Sequence, residues 1–135
     1  MNLLALKPHP KSIVLAQAAI ESNWGTSRFF REANNIFGMW STTDKEPRIA
    51  ANIKRGGIQT IWLKKFATLE ESTEHYYLTI GRGKHYKKFR EVRYYSNDVF
   101  KILKELNMYS EMGEKYTKSL AAVIRHNKLL KYDKW

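Results

Sequence analysis

Glu21 is the carboxylate with the most chemical promise in this chain, because of what surrounds it. The segment AQAAIESNWGTSRFFREANNIFGMW, residues 16–40, sets it at the end of an apolar stretch and just before a glycine turn. Ile13, Val14, Leu15, Ala16, Ala18, Ala19 and Ile20 make that stretch apolar nearly all round, the pattern of a buried helix. Trp24-Gly25 then stops it, since glycine is the usual residue just past a helix end. A carboxyl in the last turn of a buried helix meets desolvation and the negative end of the helix dipole, and both raise its pKa. A carboxyl held protonated near neutral pH is what general-acid catalysis requires. The same spacing allows a plainer role, with Glu21 as the first solvent-facing residue of the helix, paired with Arg28 or Arg31.

Other side chains offer less. Gln17 lies one turn before Glu21, where hydrogen bonding to the acid and simple packing are equally open. Phe37, Trp40 and Trp62 present flat apolar faces that can stack on sugars, although Phe37 is read first as core. Asn34 and Asn35 suit backbone binding in a turn, and Ser22, Thr26 and Ser27 suit turn and cap positions. The four histidines, His9, His75, His85 and His126, are scattered with no HExxH pair, so no metal site and no cofactor are expected. With no cysteine, disulfides, Cys-ligated zinc and thiol catalysis are excluded. No His and acid stand at a spacing that supports a serine triad.

The 16–40 segment closely resembles the catalytic helix and following loop of the glucosaminidases of glycoside hydrolase family 73, in particular their Bax-like branch. The matching elements are Ala16-Gln17-Ala18-Ala19, Glu21-Ser22, Trp24-Gly25-Thr26-Ser27, Asn34-Asn35 and Phe37-Gly38. Weaker similarity continues through Phe66 and the helix after it, Tyr86 to Arg93, and Tyr109-Ser110-Glu111 to Arg125. The resemblance implies a lysozyme-like α+β fold with Glu21 as the catalytic acid. It also implies that Asn35 helps to hold the loop beside the cleft, and that Tyr109 or Tyr116 lines the cleft near the acid. Tyr109, in a loop, is the better site candidate; Tyr116 sits on an apolar stripe, where a core role is equally open.

Glycoside hydrolysis generally uses two carboxyl groups, and here the chain departs from the family it resembles. The second Glu often lies on the hairpin lobe, where this sequence has Asn52 or Trp62 according to how the strands align. No carboxylate occurs between Pro47 and Leu69. Asp44 and Glu46 on the preceding loop are the nearest candidates for a second carboxylate, since Glu70 and Glu71 are explained by helix capping. Three readings stay open: a base from that loop, assistance by the substrate's own acetamido group, or glycan binding with little turnover.

The elements that must position these residues can be read from periodicity. A first helix is expected over Ser12 to Asn23, and a short second one over Ser27 to Ala33. A polar loop runs from Ser41 to Pro47. Arg48 to Lys54 and Ile58 to Phe66, joined by Arg55-Gly56-Gly57, read as a β-hairpin. Thr68-Leu69-Glu70-Glu71 is a capping box opening a helix that lasts until Gly81 and Gly83. A further helix over Lys84 to Arg93 turns Tyr86, Phe89 and Val92 inward. Val99, Ile102, Leu103 and Leu106 mark another, capped by Ser96 or Asn97. The last, Glu114 to Lys128, carries Tyr116, Leu120, Val123 and Ile124 on one stripe. The expected fold is mainly α: a helical lobe and a small β-hairpin lobe, with Glu21 facing the cleft between them.

Length and composition agree with this. The 135 residues suffice for a single domain, 1–135, with a real core. The opening MNLLALKPHPKS is too short in apolar residues for a signal peptide, and it reads like the middle of a domain taken from a longer protein. No stretch is long enough to span a membrane. A net charge of +11 attracts polyanions, but the basic residues are spread over the surface rather than gathered on one recognition helix, so nucleic acid is not the expected partner. Peptidoglycan glycan strands are, with the protein acting as a monomer in the periplasm or cell envelope and its export signal elsewhere. The alternatives are a muramidase or lytic transglycosylase of the same fold, or a weakly active wall-glycan-binding module.

Overall fold

The apolar run around residues 13–20 folds as helix α1, Lys11–Glu21, in a computed structural model that describes residues 9–52 and 56–134. The helix stops at Glu21 rather than Asn23, because Asn23, Trp24 and Gly25 adopt φ of 50°, 56° and 78° and turn the chain at once. Its burial is one-sided. Ser12, Ile13, Ala16 and Gln17 are buried, whereas Leu15 is 42% exposed, which corrects the expectation of burial all round. Scattered apolar side chains at a surface are ordinary, so composition alone overstates burial.

The beginning of α1 is held from far away. Asp133 accepts hydrogen bonds from the Ser12 backbone N–H at 2.8 Å and from Ser12 Oγ at 2.5 Å, across 121 residues. A carboxylate at a helix N-terminus satisfies an orphan donor and meets the positive end of the dipole. Asp133→Ala is therefore expected to lower unfolding stability by about 1–2 kcal/mol, read by chemical denaturation, with Asp133→Asn recovering part of the loss. An unchanged midpoint in the alanine variant would exclude the cap.

Ala18–Tyr77 forms one compact unit, and the described residues of Met1–Gln17 and Leu78–Trp135 form the other. In the first, α2 (Arg28–Ala33) begins at Ser27, whose Oγ accepts from Phe30 N, and ends at Asn34 in the left-handed conformation. β1 (Arg48–Ala50) and β2 (Trp62–Lys64) pair antiparallel in the register Arg48↔Lys64, Ile49↔Leu63, Ala50↔Trp62. The strands are shorter than their apolar pattern suggests; the turn residues 53–55 of the expected hairpin lie outside the described residues. α3 (Leu69–Arg82) opens on the capping box, with Thr68 Oγ1 accepting from Glu71 N and Glu71 Oε2 accepting from Ala67 N. Phe37, Met39, Leu63 and Tyr76 form the core of this unit, with Phe37 stacked on Tyr76 at 4.1 Å.

In the other unit, α4 (Lys87–Tyr95), α5 (Val99–Leu103) and α6 (Glu114–His126) pack around Phe89, Ile102, Leu103, Leu106, Leu120 and Ile124. Two local expectations are corrected. Arg90 and Arg93 are buried on α4 beside Phe89, while Val92 is only half-buried. Arg90 has a reason to be inside: its guanidinium donates to the Ile80 and Gly83 carbonyls, both at 2.8 Å, and so finishes α3. The cap of α5 is Asp98, not Ser96 or Asn97, accepting from Phe100 N and Lys101 N. His9 lies buried 4.8 Å from the Phe89 ring, and burial, aided by the Arg93 charge, lowers its pKa to about 3. Among the described residues no helix is long and apolar enough to cross a membrane.

Candidate functional site

Glu21 is the last residue of α1 and half-buried. The turn after it is tied locally: Ser22 Oγ donates to Ala18 O at 2.6 Å and accepts from Gly25 N at 2.9 Å. Arg28 and Arg31, the cations considered as its partners, are engaged elsewhere, Arg28 with Glu32 and the Ala50 carbonyl and Arg31 with the Thr26 carbonyl. Gly38 comes close to the carboxyl. A Cβ built on Gly38 would stand 2.7 Å from Glu21 Oε2, and Gly38 has φ of 71°. Only glycine fits both the conformation and the space.

The loop that presents Gly38 is built on two asparagines. Asn34 Nδ2 donates to the Phe66 and Ala67 carbonyls. Asn35, 1% exposed, donates from Nδ2 to the carbonyls of Met39 (3.0 Å) and Lys64 (2.9 Å), and its Oδ1 accepts from Met39 N (3.0 Å). Residues 39–41 then run beside β2, with Ser41 N donating to Trp62 O and Lys64 N to Met39 O. One buried amide thus locks the glycine loop against β2, because its four hydrogen-bonding positions match three backbone groups.

Beside this loop lies a pocket of about 410 Å³ lined by Trp40, Ser41, Thr42, Arg48, Gln59, Thr60, Ile61 and Trp62. Trp40 is 47% exposed. Trp62 lies under Arg48, whose guanidinium carbon is 3.9 Å from the indole centroid. Phe37, by contrast, is core. Asp44 is exposed on the preceding loop. Glu46 is held by Lys64 Nζ at 2.7 and 2.8 Å, and that contact, helped by Ser41, keeps its carboxyl below the usual range. A carboxylate so held is a weaker base.

In the other unit, Gln17 is fully buried and donates from Nε2 to Tyr116 Oη at 3.0 Å. Tyr116 is buried and stacks in parallel on Tyr109 at 5.7 Å, and Tyr109 meets Tyr86 at 6.2 Å. Tyr109 is half-buried and Tyr116 nearly closed to solvent. The structure thus gathers Gln17, Tyr109 and Tyr116 in one unit, and Glu21, Asn35, Trp40 and Trp62 in the other. Sequence reasoning missed Arg48, whose place depends on strand register, and the steric role of Gly38, which the Phe37-Gly38 match had marked without explaining.

Residues 3–129 match the family described as mannosyl-glycoprotein endo-beta-N-acetylglucosaminidase. The chain is 28% identical over 127 residues to the protein Bax of Escherichia coli K12, covering 90% of this chain and 44% of that one, so it spans less than half of that relative. The catalytic domain of the autolysin Auto from Listeria monocytogenes superposes with a TM-score of 0.73 at 23% identity, over 92% of this chain and 75% of that one. A peptidoglycan hydrolase from Sphingomonas sp. A1 gives 0.72 at 21%, over 91% and 79%. The fold is lysozyme-like, helix-rich with a small antiparallel sheet. The chain belongs to the glucosaminidase family, glycoside hydrolase family 73.

Proposed function

We propose that this chain is a peptidoglycan hydrolase of the cell envelope, an endo-β-N-acetylglucosaminidase in which Glu21 is the general acid. The observation that carries the reading is that Gly38, in a loop that Asn35 locks down, leaves room beside the Glu21 carboxyl that a Cβ would fill. An acid at a helix end, beside a loop held in place, suits protonation of a leaving glycosidic oxygen. Family membership and the likeness to wall-cleaving enzymes support the substrate. The family resemblance makes Tyr109 a further proposed site residue; it stacks on Tyr116, which Gln17 hydrogen-bonds.

The second carboxyl group is open between exposed Asp44 and the substrate's acetamido group, since Glu46 is committed to Lys64. The same shortage favours one other reading, a wall-glycan-binding module with weak turnover. Digestion of purified peptidoglycan, followed by reduction and mass spectrometry, separates them. Fragments ending in reduced N-acetylglucosamine are expected. Ends in muramic acid or its anhydro form would make the enzyme a muramidase or lytic transglycosylase, and wall binding without fragments would make it a binder.

A further inference from the structure

No carboxylate lines the pocket between Trp40 and Trp62. It offers a cation instead. Arg48 projects from β1, and the register pairs Ala50 with Trp62 and Arg48 with Lys64, so Arg48 and Trp62 are diagonal neighbours on the sheet. The guanidinium lies over the indole at 3.9 Å and makes no ion pair among the described residues. Stacking holds its plane while the N–H groups along its edge remain available for a carboxylate, which they can grip in bidentate fashion. Around it the pocket combines a half-exposed indole with the hydroxyls of Thr42 and Thr60 and the amide of Gln59. An aromatic face with polar groups at its rim suits a sugar ring.

Resting on the proposed action on wall glycan, we infer that this pocket binds a sugar that bears a carboxylate, with Arg48 gripping the acid and Trp40 presenting a face to the ring. In a wall strand that acid has two sources, the lactyl ether of a peptide-free muramic residue or the free carboxyls of an attached peptide stem. Arg48 then selects which stretches of strand are engaged, a task separate from the acid chemistry of Glu21.

The test is binding of soluble strands by the wild-type chain, Arg48→Gln and Arg48→Lys, followed by titration calorimetry. The probes are peptide-free strands, the same strands with their carboxyls converted to methylamides, stem-bearing strands, and chitin oligomers, which have no acid. Wild type is expected to bind peptide-free or stem-bearing strands about tenfold more tightly than the blocked ones. Arg48→Gln should remove that difference while keeping its affinity for chitin oligomers, and Arg48→Lys should restore only part of it. Tighter binding of the peptide-free strands assigns the lactyl acid, and tighter binding of stem-bearing strands assigns the stem. Equal wild-type affinity for free and blocked strands overturns the pocket's assignment and leaves the hydrolase reading intact. Absence of binding to every strand overturns both.

Discussion

Glu21→Gln is expected to cut glycan-strand cleavage by about 10²- to 10⁴-fold, the usual worth of a positioned general acid. Glutamine keeps the length and shape of the side chain, so the slot beside Gly38 is still filled and wall binding should persist. The measurement is the initial rate of reducing-end release, with melting temperature and wall binding as controls. A rate within threefold of wild type would return Glu21 to the plainer role of a surface residue at a helix end. A collapse of stability instead of activity would show that the carboxyl braces the turn and does no chemistry.

Asn35→Asp should have the largest effect on stability for the smallest change in shape. Its amide donates to two carbonyl oxygens from a position 1% exposed, so the substitution sets a buried carboxylate against two acceptors. The expected loss is about 3 kcal/mol or more, a fall of roughly 10 °C in melting temperature for a chain of this size. The pH dependence has a definite sign. Burial and the facing carbonyls raise the pKa of the new carboxyl, and protonation returns one donor. The deficit relative to wild type should therefore shrink as pH falls from 7 toward 4. A deficit independent of pH would show that the two carbonyls had found other donors.

What the sequence made legible were features closed within a few residues. The Thr68–Glu71 box, the Ser27 cap and the stripe on α6 formed where they were read, and the stop of α1 within two residues, because each depends on neighbours within a turn or two. The hairpin was legible as an element, yet not in its length. What stayed hidden depends on partners distant in sequence. Nothing near Gln17 announces Tyr116, 99 residues on, and nothing near Arg90 announces that it finishes the helix before it. Glu46 read as a free carboxylate until strand pairing brought Lys64 within 2.7 Å. Arg48 read as one of many basic residues until the register set it over Trp62. The Asp98 cap was missed for a different reason: three adjacent residues, Ser96, Asn97 and Asp98, are all good caps, and sequence alone does not rank them.

The reach of Asp133 to Ser12 gives the molecule an order of completion. The ribosome makes Ser12 and the rest of α1 long before it makes the residue that caps it, 121 positions later. The end of α1 that carries Glu21 is secured by its own turn, whereas the beginning waits for the tail. A nascent chain, or one nicked by a protease after α6, holds Glu21 on a helix whose first turn can fray. The integrity of the segment that follows α6 is thereby felt at the first turn of α1.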